Sequence, residues 1–321
     1  MEPRALRGAV NLLRTCAGVK PREHVLIVTD SATDPAIART IMEAACRLRI
    51  DCSTITMRAR TLPGEEPPAP VAAAMRSADI IISPTSTTLF HTHARTRACR
   101  GGSRFISMAC ATVSILSSEG MSANFPKQKV VMERLMHRFT GAKQIRVTNP
   151  AGTCLTFNVR GRKGYGLSGM ATRHGEATGV PDIEAYIAPI ERDTNGVLVV
   201  DGSTSVTGIV KQPLVITIRH GVAVSITGGS DAYTLRRTLR KTRSRGSFYV
   251  GELGVGLNPL AHIRGAIIED EGVLGTAHVA LGDNTKIGGK NSAPTHIDFV
   301  FKNPHLQLDG ETVLRGRRLT I

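Results

Sequence analysis

The chain has no tryptophan, and aromatic residues make up only 4% of its 321 positions. So few rings make a base-stacking platform hard to build, which argues against a nucleic-acid partner despite a formal charge of +15. The positive charge is spread along the chain. Its densest run, Arg236 to Arg245, reads as the exposed end of a helix, where the backbone dipole favours cations. Cysteine motifs are also missing. Cys16, Cys46, Cys52, Cys99, Cys110 and Cys154 form no CxxC pair, so neither a zinc knuckle nor a disulfide framework is indicated. No segment approaches the roughly 20 consecutive apolar residues of a membrane span. The opening MEPRALRGAVNLLRTCAG lacks an apolar core followed by a small-residue cleavage site. These absences give the expectation of a cytoplasmic protein without a membrane partner.

A length of 321 residues with 41% apolar composition is enough for two domains with separate cores. From the start to residue 142 the pattern alternates helix and short buried strand. His24–Thr29 is an apolar run followed by Asp34-Pro35, a capping residue and a helix-starting proline. Cys52–Met57, Asp79–Ser83 and Phe105–Met108 read as further strands, with a proline-rich linker at Leu62–Pro70. Apolar runs without alternation predict a mainly parallel sheet with helices on both faces, hence an α/β domain over 1–142. No GxGxxG follows the first strand, so a dinucleotide site has no support.

Over 143–321 the pattern changes to period-two stretches and tight turns, predicting a sheet-rich α+β domain. Expected strands include Ile183–Ala188, Phe248–Leu253, Ala277–Leu281 and His296–Phe301, with one helix at Asp231–Lys241 and a closing hairpin through Asp309-Gly310. Within these strands lie Glu252, His278, His296 and Asp298, all metal-ligand residue types. In an extended segment, residues two apart share a face. His296 and Asp298 can therefore grip one ion.

Four segments carry a family resemblance. Gly179 to Glu184, followed by Ala188-Pro189 and Asn195-Gly196, resembles the first metal-site segment of the metallo-aminopeptidases of the aminopeptidase T and aminopeptidase S kind. Gly251-Glu252-Leu253 is similar to their second segment, His278 to Gly282 to their third, and Asn291-Ser292 with Thr295 to Phe299 to their fourth. Phe90-His91-Thr92 and Ala94-Arg95 echo a further segment more loosely. The resemblance implies a two-metal centre held by Glu184, Glu252, His278, His296 and Asp298. Such a donor set suits zinc, cobalt or manganese ions that activate a shared water.

Where those enzymes place a tyrosine seven positions after the third-segment histidine, this chain has Thr285. Thr285, Lys286 and Lys290 are then the candidates to orient substrate or steady an oxyanion. Asn284-Thr285, Gly288-Gly289-Lys290, Pro294 and Gly256 to Pro259 look closer to the related 2,5-dihydroxypyridine 5,6-dioxygenases, iron(II) ring-cleaving enzymes with a two-histidine, one-carboxylate site. There a histidine stands at the position of Glu252, and the positions of His278 and Glu184 are not retained as ligands. His278, His296 and Asp298 can by themselves form such a triad.

The reading placed first is a metal-dependent hydrolase of an amide or related C–N bond in a small or cyclic substrate. The alternatives are an iron(II) ring-cleaving dioxygenase of a hydroxypyridine-like heterocycle and a non-catalytic metal- or ligand-binding protein. His91, His93 and Arg95 are candidate substrate contacts, Glu269 to Glu271 include a candidate general base, and a homo-oligomer is expected.

Overall fold

The computed structural model describes residues 3–62 and 64–321. Pro63, within the expected linker, lies outside the described residues. The chain divides into two compact units, residues 1–129 with 167–183, and residues 130–166 with 184–321.

The first unit is built on a five-stranded parallel sheet. His24–Asp30 lies between Asp51–Met57 and Ile80–Ser83, with Arg104–Ser107 and then Ala177–Gly179 continuing beyond Ile80–Ser83. The expected helix after the first strand spans Pro35–Leu48, and the Asp34 carboxylate caps it by accepting from the Ala36 N–H at 2.8 Å. Helices Ala69–Ser77 and His93–Arg100 also belong to this unit. Leu26, Val28, Met75, Ile81, Leu89 and Phe105 form a core cluster.

Two features differ from the sequence expectation. Asp51–Met57, at the sheet edge, is largely exposed and not covered on both faces. The division also does not fall at 142, because Ala177–Gly179 returns to pair in parallel with Arg104–Ser107. Three residues carry too little periodicity to be recognised as a strand.

The second unit holds two antiparallel sheets. One has eight strands, with Thr194–Val200, Cys154–Asn158 and Gln144–Thr148 at its centre. The other has seven, and four of its neighbours matter most for function: the Glu184 strand (Glu184–Ile187), the Glu252 strand (Val250–Gly256), the His278 strand (Thr276–Gly282) and the His296 strand (His296–Lys302). Along these strands alternation sorts the residues. Ala185, Leu253, Val255, Val279, Phe299 and Phe301 are fully buried apolar side chains, while the residues next to them in sequence point to the opposite face, which carries the polar groups. The helix Gly229–Lys241 starts two residues before its expected position and carries the first part of the basic run.

Candidate metal centre

Cross-strand register gathers the site. Gly256 pairs with Glu184, Gly254 pairs with both Tyr186 and His278, Ala280 pairs with both Glu252 and Asp298, and Gly282 pairs with His296. Residues directly opposite in a ladder share a face. Glu184, Glu252, His278, His296 and Asp298 therefore stand on one face of four adjacent strands. A bulge at Gly251 resets the pairing just before Glu252, a device that re-aims side chains beside active sites.

The floor under the cluster is made of small residues because larger ones would collide with it. A Cβ at Gly254 would sit 2.1 Å from Nε2 of His278, so the imidazole lies across a position that only glycine leaves open. At Gly282 the backbone has φ +121°, and a Cβ would meet the Thr295 carbonyl oxygen at 1.9 Å.

Donor atoms converge around the two imidazoles. Nε2 of His278 is 3.1 Å from Oε2 of Glu184 and 3.3 Å from Oε1 of Glu252. Nε2 of His296 is 3.6 Å from the other Glu252 oxygen and 3.2 Å from Oδ1 of Asp298. Glu252 thus spans both histidines. Donor atoms of Glu184, Glu252 and His278 all lie within 4.8 Å of one another, a grouping able to hold a metal ion.

The opposite nitrogen of His296, Nδ1, is 2.7 Å from the Asp283 carbonyl. An N–H donated there fixes the tautomer that leaves Nε2 free to ligate. The Asp283 loop is itself pinned. Asn291 donates its side-chain amide to the carbonyls of Gly282 and Gly246, at 2.7 and 2.8 Å. Glu191 accepts from the Lys290 N–H at 2.5 Å and from Arg162 at 2.7 Å.

The cluster is electrostatically unsettled without a cation. The single Nε2 atom of His278 cannot serve both Glu184 and Glu252, and its hydrogen-bond geometry is to Glu252. The buried Glu184 Oε2 and His278 Nδ1 are left without hydrogen-bond partners, a costly state for buried polar atoms. Burial pushes the Glu252 carboxyl above its usual range, and the neighbouring Glu184 charge adds to this. Burial alone would lower His278, but the Glu184 and Glu252 carboxylates against its Nε2 hold its imidazolium well above the ordinary histidine range. At His296, Asp298 and Glu252 likewise outweigh burial and raise the group to about 10. Asp298 is lowered, the His296 charge overcoming the effect of burial. Three carboxylates and two imidazoles crowding one another in this way are arranged for a divalent ion in place of the imidazolium protons.

The other expected residues are dispersed. Thr285, Lys286 and Lys290 are exposed on the loop after the His278 strand, and the Thr285 hydroxyl donates to Asp283 at 2.9 Å. His91 and His93 are exposed in the first unit. Arg95 there donates to the Phe90 carbonyl at 2.7 Å and lies 5.0 Å over the Phe90 ring. Of the acidic triplet, Glu269 and Asp270 are buried and accept from backbone N–H groups of His262, Arg264 and Gly265. Glu271 approaches the cluster, with a carboxylate oxygen within 4.8 Å of one on Glu184 and a hydrogen bond to Asp298. Tyr186, on the Glu184 strand opposite Gly254, stands on the same face and is not among the expected site residues. Its position two after Glu184 was the available signal.

A family model described as NicX, 2,5-dihydroxypyridine 5,6-dioxygenase, matches residues 7–320. The chain belongs to the 2,5-dihydroxypyridine 5,6-dioxygenase family. A curated 2,5-dihydroxypyridine 5,6-dioxygenase from Pseudomonas putida KT2440 is 21% identical over 322 residues, covering 92% of this chain and 90% of the relative. A solved 2,5-dihydroxypyridine dioxygenase structure from that organism superposes with a TM-score of 0.83 at 19% identity, covering 98% of this chain and 96% of that one. Aminopeptidase T from Thermus thermophilus gives 0.73 at 14% identity, with 99% of each chain covered. The wider resemblance to aminopeptidase-T-like proteins therefore holds for the fold.

The expected amide hydrolase does not hold. Membership of the dioxygenase family overturns it and favours the alternative reading. The acids that suggested a hydrolase are present, but ligand types on a shared fold do not fix the reaction. Among the described residues, no helix is long and apolar enough to cross a membrane.

Proposed function

We propose that this protein is an iron(II)-dependent ring-cleaving dioxygenase acting on a hydroxylated N-heterocycle of the 2,5-dihydroxypyridine kind. The observation that carries the reading is the convergence of His278 and His296 with buried carboxylates on one sheet face, in a chain of this family. Glu252, whose two oxygens meet His278 and His296, would hold the ion together with those imidazoles, Asp298 standing beside His296; imidazole and carboxylate donors of this kind suit iron(II). When bound, iron supplies the means to combine O₂ with an aromatic ring.

The protein's own groups then have separable tasks. The Asp283 carbonyl orients the His296 ring. Glu184, whose buried Oε2 lacks a hydrogen-bond donor, is placed to accept a proton from a ring hydroxyl. Glu271, beside Glu184 and Asp298, can relay that proton. A homo-oligomer is part of the same reading, tested by light scattering.

The functional test is oxygen uptake by anaerobically iron(II)-loaded protein given 2,5-dihydroxypyridine. The reading expects about one O₂ consumed per ring opened, and no turnover with zinc in place of iron. Iron-loaded protein that binds the metal but consumes no oxygen would refute it.

A further inference from the structure

Aromatic side chains are scarce in this chain, with four tyrosines, eight phenylalanines and no tryptophan. Two of the four tyrosines are stacked against each other at the border of the metal cluster. Tyr165 and Tyr186 have ring centroids 6.1 Å apart and planes inclined by only 18°. Tyr186 follows Glu184 by two on the same strand and pairs across to Gly254, the residue over which the His278 imidazole lies. Tyr186 faces the side that carries the ligands, and Tyr165 stacks on it. With no side chain at Gly254, nothing on the strand between them separates the Tyr186 ring from His278.

The stack is held from behind. Lys163 Nζ is 5.5 Å from the Tyr165 ring centroid. The Tyr165 hydroxyl would be 3.4 Å from a Cβ at Gly288, on the loop pinned through Arg162 and Glu191. Both tyrosines remain partly exposed. A strand position facing acids and imidazoles is a poor place for a ring whose only task is to fill a core. A flat, half-open aromatic face beside metal donors suits a flat aromatic ligand.

We propose that Tyr186, backed by Tyr165, is the wall on which the substrate's heteroaromatic ring lies, selecting planar over saturated rings. The proposal rests on the reading of the substrate as a hydroxylated N-heterocycle. Tyr186 acts by contact with the ring, and Tyr165 acts as a positioning residue behind it.

The test is anaerobic calorimetric titration of the iron(II)-loaded full chain with 2,5-dihydroxypyridine and, as the non-planar probe, a dihydroxypiperidine. Wild type should bind the pyridine and not the piperidine. Tyr186→Leu should weaken pyridine binding about three- to tenfold, the range expected for one lost aromatic contact. Its iron content should be unchanged, and KM should rise more than kcat falls. Tyr186→Phe should restore binding to within about twofold. Tyr165→Leu, a second route should the first variant misfold, should show a smaller loss in the same direction. Pyridine binding unaltered in an iron-loaded Tyr186→Leu or Tyr165→Leu protein would overturn the wall, as would equal affinity for the two rings. Tyr186-dependent pyridine binding without oxygen uptake would instead leave the wall standing and refute the reaction.

Discussion

Each unit carries a buried acid at the edge of a strand, and the two acids are treated in opposite ways. In the first unit Asp30 ends the strand His24–Asp30 and is saturated. It accepts from Ala32 and Thr33 N–H groups and the Thr33 hydroxyl, each at 3.0 Å, and from the Ser86 N–H and hydroxyl at 2.7 and 2.9 Å. In the second unit Glu184 Oε2 is equally hidden and has no hydrogen-bond donor. Glu252 faces two imidazoles and another acid. A carboxylate whose lone pairs are filled by its own backbone holds a loop. Carboxylates that face only one another and two imidazoles are kept for a cation. The difference separates an architectural acid from a ligand where residue type and burial do not.

The largest effect that sharpens the contrast is expected from His296→Ala. Removing one imidazole should cut iron affinity by more than about 100-fold, beyond the loss typical of outer-sphere changes, while the fold survives. Metal titration with circular dichroism checks this, and full iron occupancy at wild-type affinity would erase the distinction between the two acids. Next is Gly254→Ala. With a Cβ 2.1 Å from His278 Nε2, the imidazole must move, and iron affinity should fall about 10- to 100-fold. An unaltered affinity would mean the His278 ring is not held where the register puts it.

Asp30→Ala should do the reverse. It leaves several buried donors unpaired and should cost about 2–4 kcal/mol of unfolding free energy, with iron affinity unchanged. Denaturant unfolding with metal titration reads both quantities.

Smallest and most diagnostic is the pH dependence. Burial would raise Asp30, but its hydrogen bonds hold it below the ordinary value. Its stabilising contribution is thus present above about pH 3.9 and lost as pH falls through the lower folded value. His296 is raised to about 10 in the metal-free protein. Its contribution is full below about pH 6.5 and lost as pH rises through about 10. Iron displaces that proton, so its binding strengthens with pH. The Tm gap between iron-loaded and metal-free protein should therefore widen from pH 6.5 upward. A gap that narrows over that range would show that the imidazoles are not the groups metal replaces.

Local rules made much of this legible. Asp34-Pro35 announced a helix start because capping is a matter of adjacent residues. His296-Ile297-Asp298 announced a shared face because strand alternation is local. What remained hidden depends on register between distant segments. Gly254 reads as an ordinary strand glycine until the ladder sets it opposite His278. Tyr186 reads as a strand residue until Tyr165 stacks on it. The Asp283 carbonyl has no side-chain signature at all. The hydrolase expectation failed for a different reason: a count of acids describes what a site can hold, and says little about which ion or co-substrate completes it.

The central claim is that the polar face of the seven-stranded sheet is a site for one iron ion with two imidazole donors. X-ray absorption at the iron edge of the anaerobically loaded chain, together with its iron-to-protein ratio, tests this most directly. The account predicts one iron per chain in an all nitrogen and oxygen shell, with outer-shell scattering from two imidazoles that falls to one in His296→Ala. Two metal ions per chain, or imidazole scattering unaffected by that substitution, would contradict it.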